Sequence, residues 1–469
     1  MKRPNVILIS IDTLRADHLS CYGYHRNTTP HIDKIAAEGT IFRRNYSTGV
    51  WTPPGHASML TGLYVSEHGV YGENRLNRNI PTIADTLKVH EYQTAGFVNN
   101  SQVGELVGFE KGHDEFVEVW KGVKSKSFTD RVLKGIARKI RKKTGHEDMG
   151  AQKTNRMFNH WVGNKIDKDK PFYAFLHYIE PHNPLNPPRP FKNRFFDHSS
   201  HNIDVMKVNK VAYNPLICFV EDIQPNEYEI HSLKSLYDGE IAYIDHRIGE
   251  IISALKRNHY YDDTMIIITS DHGEHFGEHG LWSHTASLYN EVLHIPLIIK
   301  FPKGIDHIQE VQACTQLVDI FPTIMEVTGV SEKEQINTSG SSLVYRANMS
   351  DIYHKYIFAE WEGRIPYFIQ GKIGSNDSSR EINRITNKLW MIADGNYKYI
   401  SASDGSEELY DLNVDRKEQN NLIYRSRDVA AALKMKLNEF KNETFSDVIE
   451  ERNEVDEETR KNLERLGYM

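Results

Sequence analysis

Two strongly apolar runs of the sequence end in side chains that can bind a cation. The run Met265–Thr269 leads into Asp271 and His272, and an earlier run, Val6–Ile9, leads into Asp12. In an open α/β sheet, ligands bind in the crevice beyond the carboxyl ends of the strands, so two such runs can bring these side chains to one edge. A single aspartate after a strand is commonly the cap of the next helix, and this structural alternative applies to each position by itself. The two together, with an imidazole beside one of them, favour a metal site.

A third segment, Trp51–Gly62, supplies a hydroxyl group. Thr52 precedes two prolines and a glycine, and the residues from Ala57 onward are typical of a helix start. The prolines fix the backbone and remove amide donors, which predicts that Thr52 lies in a rigid turn near the positive end of a helix. A threonine hydroxyl is a poor nucleophile at neutral pH, but coordination to a divalent cation lowers its pKa. Alone, Thr52 would be an ordinary turn or capping residue; together with the two aspartates it is a candidate nucleophile.

The predicted metal site combines oxygen and nitrogen ligands from distant parts of the chain. Its candidate members are Asp12, Thr52, Asp271 and His272. A mixture of carboxylate, hydroxyl and imidazole groups suits calcium, manganese or zinc. We therefore expect one bound divalent cation, and the ligand types leave its identity open.

The elements that position these residues alternate along the chain. Strand-like runs, such as Thr94–Val98 and Phe172–Leu176, alternate with amphipathic helical stretches, and Leu236–Leu255 has the spacing of a crossover helix. This order predicts an α/β fold whose mostly parallel central sheet is sandwiched by helices. After about residue 345 the pattern changes to short alternating strands with polar turns. We predict a catalytic α/β domain over residues 1–345 and a C-terminal α+β subdomain over residues 346–469, with a short antiparallel sheet and a terminal helix.

Composition favours a large cytoplasmic enzyme. The chain has 469 residues, 39% of them hydrophobic, and a formal net charge of -7, which argues against a nucleic-acid-binding module. Its three scattered cysteines are too few for a disulfide framework, so a reducing compartment is the simpler expectation. The apolar run near the N-terminus is short for a signal peptide, and no run approaches the roughly 20 residues of a membrane-spanning helix.

At these motifs the sequence resembles the sulfatase family of the alkaline phosphatase superfamily, and the resemblance covers most of the chain. The segments that carry it are Asn5–Gly23, Thr52–Gly62, Tyr173–Pro188, Asp271–Trp282, Val318–Thr323 and Glu408–Leu422. The resemblance implies an alkaline phosphatase-like fold, a bound metal ion and hydrolysis of an anionic ester.

The departures from the family pattern change the expected chemistry. Sulfatases carry a cysteine or serine at the position of Thr52 and oxidise it to formylglycine, which threonine cannot form because of the methyl group on its Cβ. His56 and His284 stand where an arginine and a lysine are usual, and Thr13 replaces a second aspartate of the metal site, which implies that Thr13 is a further candidate ligand. Threonine at this position resembles the superfamily's phosphodiesterases, phosphonate hydrolases and phospho-group transferases. We therefore predict a metal-dependent hydrolase of phosphate diesters, phosphate monoesters or phosphonate esters that forms a covalent phosphothreonine.

Three histidines are further candidates for the reaction. His182 and His284 could bind the non-bridging oxygens of the substrate or protonate the leaving group, since histidine changes charge near neutral pH. His56 could hold the turn at Thr52 or bind the anion. Each of the three, taken singly, could instead be a structural side chain with satisfied hydrogen bonds.

Several alternatives remain open at the level of the sequence. One is a sulfate ester hydrolase that works without formylglycine, another is a phospho-group transferase, and the most remote is an inactive binding protein. A basic stretch over residues 121–143 has apolar residues at helical spacing and could touch an anionic membrane, although an ordinary surface helix has the same pattern. The oligomeric state is not predicted.

Overall fold

The computed structural model describes residues 3–72, 74–121, 148–196, 203–221, 223–284, 286–330, 337–345, 354–363, 386–444 and 455–466. The strands in these ranges are β1 Asn5–Ile11, β2 Thr40–Tyr46, β3 Gln93–Val98, β4 Glu115–Glu118, β5 Phe172–Tyr178, β6 Thr264–Thr269, β7 His275–Phe276, β8 Trp282–Ser283, β9 Leu297–Lys300, β10 Glu310–Gln316, β11 Ile357–Trp361, β12 Leu389–Ala393, β13 Tyr397–Ala402 and β14 Glu407–Asp411. The α-helices are α1 Pro30–Ala37, α2 Thr52–Thr61, α3 Val65–His68, α4 Ile83–Val89, α5 Ala151–Asn164, α6 Val205–Tyr213, α7 Ile217–Val220, α8 Glu227–Arg257, α9 Asn290–Leu293, α10 Ile320–Val327, α11 Arg427–Thr444 and α12 Glu457–Arg465. None of the helices in the described ranges is both long and apolar enough to cross a membrane.

The central sheet has eight strands in the order β10-β2-β9-β6-β1-β5-β3-β4. Its neighbouring strands are parallel except at β9, which is antiparallel to both β2 and β6. Strand β1 is buried along its whole length, and its alternate residues enter different cores: Ile7 and Ile9 lie on one side, Val6 and Leu8 on the other. A strand that is apolar on both faces suits a sheet covered by helices on both sides. The predicted α/β fold is confirmed.

The longest helix, α8, leads into the strand that carries Asp271. Its first turn is closed by a capping box in which the side chain of Asn226 accepts hydrogen bonds from backbone amides and Glu229 reaches back to the Asn226 amide. Leu236 and Ile244 of α8 are buried in the core on the same side of the sheet as Ile7. Helix α8 also positions α1, because the carboxylate of Asp245 in α8 accepts hydrogen bonds from the backbone amides of His31 and Ile32 in the first turn of α1. Both interactions fix the helix that delivers β6 to the centre of the sheet.

The second sheet is antiparallel and contains β11 to β14 in chain order. Helix α11 covers one of its faces, where Leu433 and Leu437 share a core with Ile392. A buried ion pair between Lys398 of β13 and Glu418, 2.5 Å apart, lies within this part of the chain, and both side chains also hydrogen-bond to Asn290 of α9. Helix α12 instead packs against the large sheet. The division of the chain at residue 345 stays a proposal.

Candidate active site

Two aspartates meet at the carboxyl edge of the large sheet. Strands β1 and β6 are parallel neighbours with Ser10 opposite Thr269, so the loops that follow them leave the sheet side by side. Potential ligand atoms of Asp12, Asp271 and His272 lie within 4.8 Å of one another, and all three side chains are fully buried. The sequence prediction that these residues come together agrees with this geometry.

The donor atoms of this cluster fit a cation. The Nδ1 atom of His272 lies 3.0 Å from the carbonyl oxygen of Gly273 and donates to it, which leaves Nε2 as the ligand nitrogen. That Nε2 lies 3.3 Å from Oδ2 of Asp271 and 3.8 Å from Oδ1 of Asp12. Neither of these carboxylate oxygens accepts a hydrogen bond from the described residues, although both are buried. Buried carboxylate oxygens without donors are costly, and a divalent cation would satisfy both at once.

Electrostatics support the same conclusion. Burial raises the pKa of Asp12, and burial together with the charge of Asp12 raises the pKa of Asp271 to about 7. Burial lowers the pKa of His272 to about 4, so its imidazole is neutral and able to bind a metal at neutral pH. Two crowded carboxyl groups beside a neutral imidazole have no positive charge of their own, an arrangement that suits a bound cation.

Thr52 is the first residue of α2 and lies against this cluster. Its Oγ1 atom is 3.4 Å from Nε2 of His272. The helix comes so close because Gly55 has no side chain: a Cβ atom there would lie 2.7 Å from the carbonyl oxygen of Asp271. The chain is extended at Trp51 and helical from Thr52, so α2 begins five residues before the start at Ala57 that the sequence predicts, with both prolines in its first turn.

His56 connects the first turn of α2 to strand β1. Its Nδ1 atom lies 2.8 Å from the backbone oxygen of Thr52 and its Nε2 atom 2.9 Å from Oγ of Ser10, so both ring nitrogens have partners. Burial lowers the pKa of His56 to about 4. The contacts favour the first of the two predicted roles, holding the turn; a catalytic role for His56 stays a proposal.

Thr13 lies beside the cluster in a strained conformation. Its φ of 57° is in the left-handed region, which a β-branched residue rarely adopts. Its backbone amide donates to Oδ1 of Asp271 at 3.3 Å, and its buried hydroxyl has no hydrogen-bond partner among the described residues. The backbone of Thr13 therefore orients Asp271, and its hydroxyl stays a proposed ligand.

Two residues that the sequence analysis missed lie at the other oxygen of Asp12, and one of them, Asn100, hydrogen-bonds to it. Nδ2 of Asn100 donates to Oδ2 of Asp12 at 3.0 Å, and Nε2 of His177 lies 3.5 Å from the same oxygen. The Nδ1 atom of His177 faces the backbone N–H of Asn99 at 3.4 Å, which places the ring proton on Nε2, toward Asp12. The hydrogen bond from Asn100 directs Oδ1 of Asp12 into the cluster, and the imidazole of His177 lies next to the same carboxylate. A signal was present in the sequence, since Asn100 closely follows a predicted strand and His177 interrupts an apolar one.

A second pair of histidines lies next to the metal cluster. The ring of His284 is 4.4 Å from that of His272 and 5.2 Å from that of His182, measured between centroids. Nδ1 of His182 donates to the backbone oxygen of Asn183 at 2.7 Å, and Nδ1 of His284 lies 3.2 Å from Oε2 of Glu274. Burial lowers the pKa of His182, and that of His284 to about 3. The predicted histidines therefore lie beside the cluster, and Glu274 orients one of them.

Comparison with known proteins shows which family this chain belongs to. A family model for sulfatases matches residues 4–330. The chain belongs to the sulfatase family. Arylsulfatase K of Mus musculus is 27% identical over 471 residues, covering 94% of this chain and 79% of that protein. An arylsulfatase of Clostridium perfringens is 26% identical, with 90% of each chain covered. The crystal structure of a phosphonate monoester hydrolase of Agrobacterium radiobacter has the same fold, with a TM-score of 0.71, 20% identity and coverage of 94% and 96%.

Membership of the sulfatase family makes this protein a hydrolase of sulfuric or phosphoric esters. Its substrate is an anionic ester, members of the family use a divalent metal ion, and Asp12, Asp271 and His272 form a cluster that could hold one. The basic stretch over residues 121–143 lies almost wholly outside the described residues, so membrane contact there stays a prediction. Within this sulfatase-family site the feature that needs explanation is the threonine at position 52.

Proposed function

We propose that this member of the sulfatase family cleaves phosphate or phosphonate esters, with Thr52 as the nucleophile. The observation that carries the proposal is the position of the Thr52 hydroxyl, 3.4 Å from Nε2 of His272 at the first residue of α2. A hydroxyl at this point lies beside the imidazole of the cluster and at the positive end of α2. The phosphonate monoester hydrolase with the same fold supports this substrate class.

Thr52 cannot form formylglycine, but its hydroxyl group can attack the ester directly. Its hydroxyl oxygen attacks phosphorus in line, the bond to the leaving alcohol breaks on the opposite side, and a phosphothreonine remains. A bound divalent cation would lower the pKa of the hydroxyl and draw charge from the non-bridging oxygens of the ester. Asp12, Asp271 and His272 would hold that cation, with Thr13 as a further proposed ligand; calcium, manganese and zinc all suit the donor set.

His182 and His284 are assigned to proton transfer. The Thr52 hydroxyl must lose a proton as it attacks, and the departing alkoxide must gain one. Because the Nδ1 atoms of both histidines are directed to protein oxygens, Nε2 is the nitrogen we assign to the substrate. An incoming phosphoryl group would raise the pKa of either ring, since a nearby negative charge favours imidazolium. Water then releases the phosphoryl group by the reverse sequence.

A second candidate is sulfate ester hydrolysis without formylglycine, which the arylsulfatase relatives favour. Hydrolysis and phospho-group transfer share the first half-reaction, so transfer to another hydroxyl is a variant of the main proposal. A binding protein without activity is the remote third case.

Turnover of four aryl esters separates these candidates. The panel contains an aryl sulfate, an aryl phosphate, a bis-aryl phosphate and an aryl phosphonate, each with added Ca²⁺, Mn²⁺ or Zn²⁺. We expect the phosphorus esters to be cleaved by the wild type and not by Thr52→Ala, and mass spectrometry of a rapidly quenched reaction to show phosphate on Thr52. Cleavage of the sulfate alone would establish the second candidate. Undiminished turnover by Thr52→Ala would remove Thr52 from the reaction.

A further inference from the structure

A second cleft shares no lining residue with the metal site. It lies between α5, α8 and the start of α1 and has a volume of about 660 Å³, within the range of small-molecule sites. Its charged and titratable lining is strongly biased to positive charge. The residues are Arg156, Arg247, Arg257, His31, His246 and Glu250.

Two helices form the walls of this cleft. Residues 152, 155, 156 and 159 of α5 and residues 246, 250, 253 and 257 of α8 line it, and the spacing of three to four places each set on one helical face. Nδ2 of Asn155 joins the helices by donating to the backbone oxygen of Arg247 at 2.8 Å and to Oε2 of Glu250 at 2.9 Å. His31 closes one end, where Gly249 leaves room: a Cβ atom there would lie 2.6 Å from Nδ1 of His31. The cleft is therefore built by packed elements.

The charges in the cleft do not balance. Arg247 is occupied by Glu250, with Nη1 at 2.9 Å and 3.0 Å from its two carboxylate oxygens. Arg156 and Arg257 are exposed, and neither guanidinium has a hydrogen bond or ion pair with another described residue. The whole chain carries a net charge of -7, so this surplus of two guanidinium groups is a local feature. Arginine presents a planar fork of donors that matches phosphoryl and sulfuryl oxygens.

We propose that this cleft binds a small polyanion that carries two phosphoryl or sulfuryl groups, with Arg156 and Arg257 as its main contacts. The site is separate from the ester-cleaving centre and does not depend on the reaction proposed above. Its ligand is held by charge and hydrogen bonds, so binding weakens steeply as the salt concentration rises. The imidazoles of His31 and His246 lie beside the same anion.

Calorimetric titration of the metal-loaded protein with inorganic pyrophosphate tests the proposal. We expect a binding event, apart from any at the metal centre, whose affinity falls at least tenfold in Arg156→Gln/Arg257→Gln. The matched control is Arg425→Gln/Arg427→Gln, which removes two exposed arginines elsewhere and should bind pyrophosphate like the wild type. Hydrolysis of aryl esters should be unchanged in both double variants, because neither alters the metal site.

Three results would overturn the proposal. The first is a wild type without a pyrophosphate site other than the metal centre at millimolar ligand. The second is equal affinity in the wild type and the Arg156/Arg257 variant. The third is an equal loss in the control, which would assign the effect to net charge. Thermal unfolding midpoints verify that the exposed substitutions leave the fold intact.

Discussion

Replacing Asn100 with alanine tests whether the amide that holds Asp12 also sets the affinity of the site for a cation. Nδ2 of Asn100 donates to Oδ2 of Asp12 at 3.0 Å, while the other carboxylate oxygen, Oδ1, faces His272. A hydrogen bond to a charged group contributes about 1.5–3 kcal/mol, and each 1.4 kcal/mol changes a binding constant about tenfold. Asn100→Ala should therefore weaken binding of a divalent cation roughly 10- to 100-fold, the range typical of residues that orient metal ligands.

The assay is calorimetric titration of the chelator-treated protein with Mn²⁺, Ca²⁺ and Zn²⁺. Asn99→Ala is the matched control, because Asn99 is the adjacent residue and is equally buried, but its amide donates to the backbone oxygen of Met149. Thermal unfolding of both variants corrects for general damage to the core. Equal metal affinities in Asn100→Ala and Asn99→Ala would refute the reasoning, since the contact with Asp12 would then have no bearing on the cation.

Two further predictions concern how the site and the fold are held. Gly55→Ala should abolish ester hydrolysis and lower the unfolding free energy by about 1–3 kcal/mol, because its methyl group would lie 2.7 Å from the backbone oxygen of Asp271. The control is Gly163→Ala, also in an α-helix, where the new Cβ meets open space. This control should retain full hydrolytic activity and unfold at the same urea concentration as the wild type. Lys398→Met should lower the unfolding free energy by about 3–5 kcal/mol, because it leaves the carboxylate of Glu418 buried without its partner. The double variant with Glu418→Gln should recover part of that loss, as measured by chemical denaturation.

The parts of the site that lie next to strand ends could be predicted from the sequence. Asp12 and Asp271 follow apolar runs directly, and parallel strands place their carboxyl ends at one edge, so their meeting needs only the fold class. The sequence also predicts a helix next to Thr52, because prolines and glycine restrict the backbone locally, but it places the helix start at Ala57 instead of Thr52. These features depend on contacts close in sequence or on one general rule of sheet topology.

The remaining features depend on pairings that no local pattern specifies. Strand β9 is apolar on both faces, and such a pattern does not indicate the direction of a strand. Its antiparallel pairing with β2 and β6 could therefore not be predicted. The contact of Asn100 with Asp12 crosses from β3 to β1 over the intervening β5, an order that only the assembled sheet defines. For His56, the residue type allowed both a structural and a catalytic role, and only its two hydrogen-bond partners favour the first.

Helix α12 supports the loop that holds the side chain of Asp12. Leu463 and Leu466 enter the core of the large sheet, and Oδ1 of Asn462 accepts a hydrogen bond from the backbone amide of Ser101, the residue after Asn100. During synthesis the loop that orients Asp12 therefore lacks one of its supports until the segment around residue 462 has left the ribosome. Full affinity of the site for a cation should therefore require the segment around residue 462 as well as the strands that carry the ligands.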